Sequence, residues 1–218
     1  TTSAPKAALL RHRNLTAYIF NTVEFGSAAE TDAIIVSVPP YHIAGMSTIL
    51  SNMYTGRRIV YLDPFKAEQW LKLVKTQQVT NAMVVPTMLS RIVEALGGQI
   101  ADVPTLRSVA YGGAKMPLPV IEKALELFPN VDFINAYGLT ETSSTITVLG
   151  PEEHRAAIAS DDPNVRARLS SAGKPVPGIE LRINDDDGNP VGPGITGDVM
   201  VRGEQVSGEY KGASGVDD

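Results

Sequence analysis

Short apolar runs rich in β-branched residues alternate with longer amphipathic segments along the first 150 residues. The runs predict strands over residues 33–38, 58–62, 80–85, 107–111 and 131–136. The amphipathic segments predict helices over residues 15–25, 43–54, 67–77, 87–96 and 118–128. Apolar strands that alternate with helices are typical of a parallel sheet covered on both faces. We therefore predict the α/β class, with a doubly wound, mostly parallel sheet flanked by helices over residues 1–150.

The pattern changes after about residue 150. Residues 151–172 are charged and rich in turn-forming residues, which indicates a connecting segment. Beyond them, residues 178–184 and 197–201 alternate between apolar and polar positions, and residues 185–189 have the composition of a hairpin loop. We predict that residues 173–218 form a small β-rich subdomain that is truncated.

The composition is that of an ordinary globular protein and narrows the possible partners. Apolar residues make up 43% of the 218 residues, and charged residues make up 20%. The formal net charge of −5 provides no basic surface, so nucleic-acid binding is not expected. The chain has no cysteine, which excludes disulfides and thiolate chemistry and suits a cytoplasmic protein. No apolar run approaches the ~20 residues of a transmembrane segment.

Polar groups of several kinds follow the last predicted strand of the sheet, in residues 135–141 (NAYGLTE), which we predict to form a turn. In an open α/β sheet, ligands bind beyond the carboxyl ends of the strands. The Tyr137 ring can stack on a purine, and Gly138 permits a close backbone approach. Thr140 can donate to a phosphate oxygen, and Glu141 is a suitable Mg²⁺ ligand. The alternative is a strand exit in which Tyr137 caps the core and Gly138 adopts a positive φ.

Five motifs occur in the order that is typical of one enzyme family. They are TTSAPK (residues 1–6, with Asn14 following), PPYH (39–42), GGA (112–114), YGLTE (137–141) and GDVMVRG (197–203). They resemble the phosphate loop, the P-x-x-H segment, the G-G-A turn, the Y-G-x-T-E motif and the G-E-x-x-V-R-G strand of the adenylate-forming enzymes. This family includes acyl-CoA synthetases, luciferases and the adenylation domains of peptide synthetases.

The resemblance implies a site for ATP and Mg²⁺. The implied nucleotide-binding residues are Thr1, Thr2, Lys6, Gly112, Gly113, Ala114, Asn135, Ala136, Tyr137, Gly138 and Thr140, and the implied metal ligand is Glu141. The phosphate loop departs from the family pattern, because Ser3 and Ala7 stand where glycine is usual and the upstream Ser-Gly half is absent. For residues 112–114, the alternative is a tight turn that leads into a helix at Pro117.

His42 is one of three histidines and precedes a predicted helix. A single histidine in such a place is commonly structural. In the resembled family, this position lies between the carboxylate of the acid and the α-phosphate, which implies substrate positioning rather than general-base catalysis. His42, Thr140 and Glu141 are the implied catalytic residues. We expect His12 and His154 at the surface.

The resemblance also implies a carboxylic acid and coenzyme A as co-substrates. Peptide-synthetase adenylation domains carry an Asp in the segment that corresponds to residues 40–42, and this chain has no carboxylate there. An amino acid's ammonium group would therefore be left unpaired, so we expect a simple carboxylic acid, in particular a fatty acid. Residues that can line an acyl channel, or belong to the core instead, are Met46, Ile49, Leu50 and Met53.

Two other functions stay open. One is an acyl-AMP ligase that delivers its product to an acyl carrier protein, and the other is a non-catalytic nucleotide-binding module. In the family, a T-G-D motif whose Asp binds ribose and a smaller domain with a catalytic Lys follow the strand that residues 197–203 resemble, and neither has a counterpart after these residues in the 218-residue sequence. The sequence thus resembles an internal piece of the family's large domain, which we expect to be inactive alone.

Overall fold

The computed structural model describes residues 7–211, which form seven α-helices, eleven strands and two short 3₁₀ turns. The helices are α1 (His12–Thr22), α2 (Ile43–Thr55), α3 (Ala67–Thr76), α4 (Pro86–Ala95), α5 (Leu118–Leu127), α6 (Pro151–Ile158) and α7 (Pro163–Arg166). The strands are β1 (Ala7–Ala8), β2 (Ala33–Val36), β3 (Arg58–Tyr61), β4 (Asn81–Val84), β5 (Ser108–Gly112), β6 (Asp132–Leu139), β7 (Ser144–Leu149), β8 (Lys174–Pro175), β9 (Glu180–Asn184), β10 (Asp198–Arg202) and β11 (Tyr210–Lys211). The 3₁₀ turns lie at Thr140–Thr142 and Ala167–Ser170.

Seven strands form the central sheet, in the order β3-β2-β4-β5-β6-β7-β8. The pairs from β3 to β6 are parallel, and β7 and β8 are added antiparallel at one edge. All four residues of β2 are buried, as expected for a strand with a helical layer on each face. The predicted mostly parallel sheet is confirmed.

Helices cover both faces of this sheet. The main core lies between the sheet and α3 to α6, where Trp70, Leu89, Ile121 and Ala157 pack with sheet residues such as Phe133. Helices α1 and α2 contact each other and lie over the opposite face. Burial of a large apolar side chain of this kind stabilises the fold by about 1.5–3 kcal/mol. The doubly wound arrangement predicted from the sequence is therefore confirmed.

Local chemistry fixes several helix ends. Proline occupies the first position of α4 and of α6, where its missing N–H costs nothing. Helix α2 ends at Gly56 with φ of 79°, a left-handed conformation that favours glycine. Helix α6 lies within the segment that we predicted to be turn-rich, and Glu152 and Glu153 in its first turn suit a helix N-terminus.

The prediction that the chain turns within residues 135–141 is wrong. Strand β6 continues to Leu139, and the turn follows at residues 140–143, where Ser143 has φ of 55°. The chain then returns as β7, antiparallel to β6, with a register shift between Tyr137 and Gly138. The Thr142 hydroxyl holds this turn by accepting from the Leu139 N–H and donating to main-chain carbonyls.

The carboxyl-terminal residues form two small antiparallel pairs, as predicted for a β-rich part. Strands β9 and β10 pair over five residues each, and the Asp185 side chain accepts from the N–H groups of Asp187 and Asn189 in the turn after β9. Strand β11 pairs with β1. The domain boundaries near residues 150 and 172 stay a prediction. Within residues 7–211, no helix has the length and apolarity needed to cross a membrane.

Candidate functional site

Two of the five predicted motifs, GGA at residues 112–114 and YGLTE at residues 137–141, contribute to one cleft at the carboxyl ends of β5 and β6, whereas residues 39–42 and 197–203 do not line it. The cleft has a volume of about 340 Å³, within the usual range of small-molecule sites. It is lined by Gly113, Ala114, Lys115, Met116, Asn135, Ala136, Tyr137, Gly138, Leu139, Leu169, Ser170, Ser171 and Ala172. Six of the residues that the family resemblance implied for nucleotide binding therefore lie together. Their roles stay a prediction.

Glycine is required where the two strands meet. Gly112 is the register partner of Ala136, and a Cβ at Gly112 would lie 2.1 Å from the Ala136 carbonyl oxygen. Gly113 follows with φ of 84° and leaves the strand towards the cleft. Gly112 and Gly113 thus allow the end of β5 to lie directly against the backbone of β6 at the cleft.

Sequence reasoning missed the wall formed by residues 169–172. This wall includes the end of the second 3₁₀ turn, and the Asn135 side chain joins it to β6 by donating to the Ser171 carbonyl at 2.9 Å. Leu169 is anchored in the main core. The available signal was the run of small residues from Ser170 to Gly173 before a strand, which resembles the run at residues 112–114.

The Tyr137 side chain is 39% exposed at the cleft, so its ring face is accessible to a flat ligand. Thr140 is also exposed, and its hydroxyl has no hydrogen-bond partner within residues 7–211. Both groups are therefore free to contact a ligand at the end of β6.

Glu141 lies on the first 3₁₀ turn, outside the cleft lining. One carboxylate oxygen accepts a hydrogen bond from the Tyr210 hydroxyl at 2.8 Å, which raises the Tyr210 pKa. Tyr210 is paired with Ala8 in the β1–β11 ladder, so the strand that follows Lys6 passes close to Glu141. The predicted phosphate-binding residues Thr1, Thr2 and Lys6 lie outside the described residues.

The described residues around Glu141 can offer a magnesium ion few protein ligands. Residues 7–211 contain no cluster of three or more carboxylate or imidazole ligands. Glu141 would therefore supply a single carboxylate oxygen, with the remaining ligands coming from phosphate and water, as is common for Mg²⁺.

A second cavity, of about 580 Å³, lies on the face of the sheet that α1 and α2 cover. Ala136 lines both cavities, so the two cavities are neighbours at this position in the second half of β6. From α2 the cavity is lined by Ala44, Ser47, Thr48, Ser51 and Asn52. Met46, Ile49, Leu50 and Met53, for which the sequence left a channel or a core position open, do not line this cavity, and Met46 and Met53 are 40% and 65% exposed.

His42 is the N-cap residue of α2 and is exposed, with its ring centroid 4.7 Å from that of Tyr41. It lines neither cavity, although Ala44 does so one half-turn later. A Cβ at Gly45 would lie 2.3 Å from the Pro39 carbonyl oxygen, so the start of the helix is tightly fixed. The predicted positioning role of His42 is not tested by these contacts.

His12 is exposed as expected, whereas the prediction that His154 lies at the surface is wrong. The His154 ring is fully buried between the Tyr111 hydroxyl, at 2.8 Å from Nε2, and the Gly150 carbonyl, at 2.7 Å from Nδ1. Burial lowers the His154 pKa and raises the Tyr111 pKa. The pair ties α6 to the residue that precedes the glycine pair.

Fold and site together define an α/β protein with a ligand cleft at the carboxyl edge of a doubly wound sheet. The sequence profile of the AMP-binding enzyme family matches residues 1–211. The chain therefore belongs to the AMP-binding enzymes, the family of adenylate-forming ligases that its motifs resemble.

Curated relatives include a 2-succinylbenzoate–CoA ligase of Bacillus licheniformis, which is 31% identical over 214 residues and 96% of this chain. The fatty acid–[acyl-carrier-protein] ligase ScoC of Streptomyces coeruleorubidus is 29% identical over 221 residues and 97% of this chain. In both cases the match covers 40% of the relative. The chain thus spans about 40% of the length of these relatives.

Two solved structures show the same fold. The o-succinylbenzoate coenzyme A synthetase (MenE) of Bacillus subtilis, in complex with ATP and magnesium ion, matches with a TM-score of 0.77 and 27% identity. The amide bond synthetase McbA of Marinactinospora thermotolerans matches with a TM-score of 0.81 and 26% identity. Each match covers 96% of this chain and 40% of the other.

Proposed function

We propose that the complete protein activates a carboxylic acid with ATP and transfers the acyl group to coenzyme A. A carboxylate oxygen attacks the α-phosphorus and pyrophosphate leaves, after which the thiol attacks the acyl carbon and AMP leaves. The observation that carries this proposal is the junction of two cavities at Ala136. A nucleotide in the cleft and an acid in the second cavity would meet there, and such positioning accounts for much of the catalysis of a two-substrate reaction.

The chain's own residues have defined tasks in this proposal. Tyr137 stacks on the purine, residues 112–114 form the backbone wall beside it, and the Thr140 hydroxyl donates to a phosphate oxygen. Tyr210 holds one oxygen of Glu141, which leaves the other free for the metal. Magnesium, when bound, neutralises phosphate charge. His42 positions the acid at the start of α2.

The relatives support the choice of reaction, and they leave two possible acceptors of the acyl group, coenzyme A and an acyl carrier protein. The match to MenE with ATP and magnesium ion supports the nucleotide and the metal, and the 2-succinylbenzoate–CoA ligases support coenzyme A. The likeness to ScoC favours a second candidate, an acyl-AMP ligase that delivers to an acyl carrier protein. A fatty acid substrate and a cytoplasmic location stay predictions.

Acid-dependent exchange of pyrophosphate into ATP by the complete protein tests the first half-reaction. We expect exchange with at least one class of carboxylic acid, and no exchange with any acid would contradict the proposal. Stimulation of product release by coenzyme A, or instead by an acyl carrier protein, identifies the acceptor. We also propose that the 218-residue chain alone forms no acyl-AMP, and detectable formation would refute this.

Glu141→Gln tests the metal site separately. The substitution keeps the size of the side chain and its acceptor oxygen for Tyr210 but removes the charge, so Mg-ATP affinity should fall about 10-fold or more. Glu180→Gln, which alters an exposed ion pair with Arg202 on the β9–β10 hairpin, is the matched control. Equal affinities of the two variants would exclude Glu141 as the metal ligand.

A further inference from the structure

The second cavity has a polar floor at its far end from the nucleotide cleft. Asn81 and Ser108 begin β4 and β5, are register partners, and both line the cavity. The Asn81 amide donates to the Ser108 hydroxyl oxygen at 2.7 Å. Interior strands of a parallel sheet normally present apolar side chains on both faces, so this polar pair is unusual for its place in the fold.

The lining changes in layers along the sheet. The next layer on this face is apolar and consists of the register partners Met83, Ala110 and Ile134. Beyond this layer, Ala136 lines both the cavity and the cleft, and its register partner on β5 is Gly112. Gly112 lies four residue steps after Ser108 along β5, which corresponds to about 13 Å at ~3.3 Å per residue.

The helical walls add further polar groups to the cavity. Ser51 and Asn52 line the cavity from α2, and Tyr18 and Asn21 line it from α1. Within residues 7–211, the side chains of Tyr18 and Asn21 have no hydrogen-bond partner, and the Ser108 hydroxyl only accepts a hydrogen bond. Several donors are therefore free to bind an acceptor group on a ligand.

We propose that the acid activated by this protein has an apolar or aromatic middle and a hydrogen-bonding group at its far end. The distance from the carboxylate to this group is about 13 Å, the distance along β5 from Gly112 to Ser108. This inference rests on the proposed function, and it defines the substrate class of the same site. A plain alkyl acid of equal length would displace water from Asn81 and Ser108 without replacing their hydrogen bonds, which discriminates against it.

Matched pairs of acids test the inference in the complete protein. Decanoate is compared with its ω-hydroxy derivative and with decanedioate, whose extended chains are long enough to reach the floor, by pyrophosphate exchange. We expect kcat/KM to be at least about 10-fold higher for the acid with the polar end in at least one pair. Comparison of hydroxyl with carboxylate shows which acceptor the floor prefers.

Variants of the floor show whether Asn81 and Ser108 cause the preference. Asn81→Leu combined with Ser108→Ala should abolish or reverse it, mainly by raising kcat/KM for the plain acid. Ser108→Ala alone is the milder variant if the double variant does not fold, and it should reduce the preference. The matched control is Asn130→Leu with Ser90→Ala, because neither residue lines this cavity or the cleft.

The outcomes are distinguishable. Equal rates for both members of every pair would overturn the inference and leave the proposed function intact. A polar preference that survives the floor variants would also overturn it, because other residues would then recognise the far end. Absence of exchange with all acids would overturn the proposed function, and this inference with it.

Discussion

The buried pair of Tyr111 and His154 allows a quantitative test of how the cleft is supported. The Gly150 carbonyl can only accept, so Nδ1 of His154 carries the proton and donates to it at 2.7 Å. Burial lowers the His154 pKa and so favours the neutral ring, in which Nε2 is unprotonated and accepts from the Tyr111 hydroxyl at 2.8 Å. Tyr111→Phe and His154→Leu each remove one side of this bond.

Each single variant leaves a buried polar group without a partner. Tyr111 and His154 are both 0% exposed, so water cannot replace the lost bond without opening the core. The expected loss is about 1–3 kcal/mol of unfolding free energy for each variant. The double variant replaces both partners by apolar groups, so its loss should be smaller than the sum of the singles by about 1 kcal/mol or more.

The acid sensitivity of the fold should depend on the same histidine. Burial lowers the pKa of His154 in the folded state below the ordinary value of 6.5. The unfolded state therefore binds more protons as the pH falls, and stability decreases from about pH 6.5 down through the lowered folded-state pKa. His154→Leu should flatten the pH dependence of stability in that range.

Urea unfolding of this chain at about pH 7.5 measures the loss of stability from the broken hydrogen bond. The same measurement at about pH 5, below the ordinary histidine pKa, shows how much stability is lost when the pH falls. His12→Leu is the control, because His12 is exposed at the start of α1 and should change neither value. Strictly additive single variants would show that the hydrogen bond contributes nothing. An unchanged loss of stability at low pH in His154→Leu would show that another group is responsible.

Two further predictions concern the ends of β6. Gly138→Ala would place a Cβ 1.7 Å from the Ser144 carbonyl oxygen, so the free energy of unfolding measured in urea should fall by about 1–3 kcal/mol or more. The control is Gly192→Ala, which has open space around the new Cβ and should change the free energy of unfolding by less than about 0.5 kcal/mol. Asn135→Ala removes the hydrogen bond to Ser171 and should cost about 1 kcal/mol and weaken ATP binding in a calorimetric titration of the complete protein. ATP affinity equal to that of Gly192→Ala would show that this link does not shape the cleft.

The sequence predicts correctly the helices and strands whose burial follows from their own local pattern of apolar residues. The strand predicted over residues 33–38 is observed at Ala33–Val36, and the helix predicted over residues 118–128 is observed at Leu118–Leu127. A strand buried on both faces has a continuous apolar sequence, and a helix on the sheet has a single apolar stripe. Both patterns are local, so they can be recognised without knowledge of the tertiary contacts.

The sequence was insufficient where tertiary contacts decide the structure. His154 lies in a charged segment, and its burial against the Tyr111 hydroxyl is a tertiary contact that no local pattern reveals. The wall at residues 169–172 is held at the cleft by the packing of Leu169 in the main core. The turn after β6 was misplaced because Gly138 has the composition of a turn residue, whereas it is needed for the close approach of Ser144.

The strand conformation of residues 135–139 explains how one motif can serve two cavities. Successive side chains of a strand point to opposite faces, so Asn135 and Tyr137 project on one side of β6 and Ala136 on the other. A turn at these residues would place all of them at one site. The strained turn that follows is held by the bond between Ser47 of α2 and Ser144, whose φ is 113°. This contact links the end of the YGLTE motif to the helix that lines the second cavity, so the cleft and the second cavity share one support.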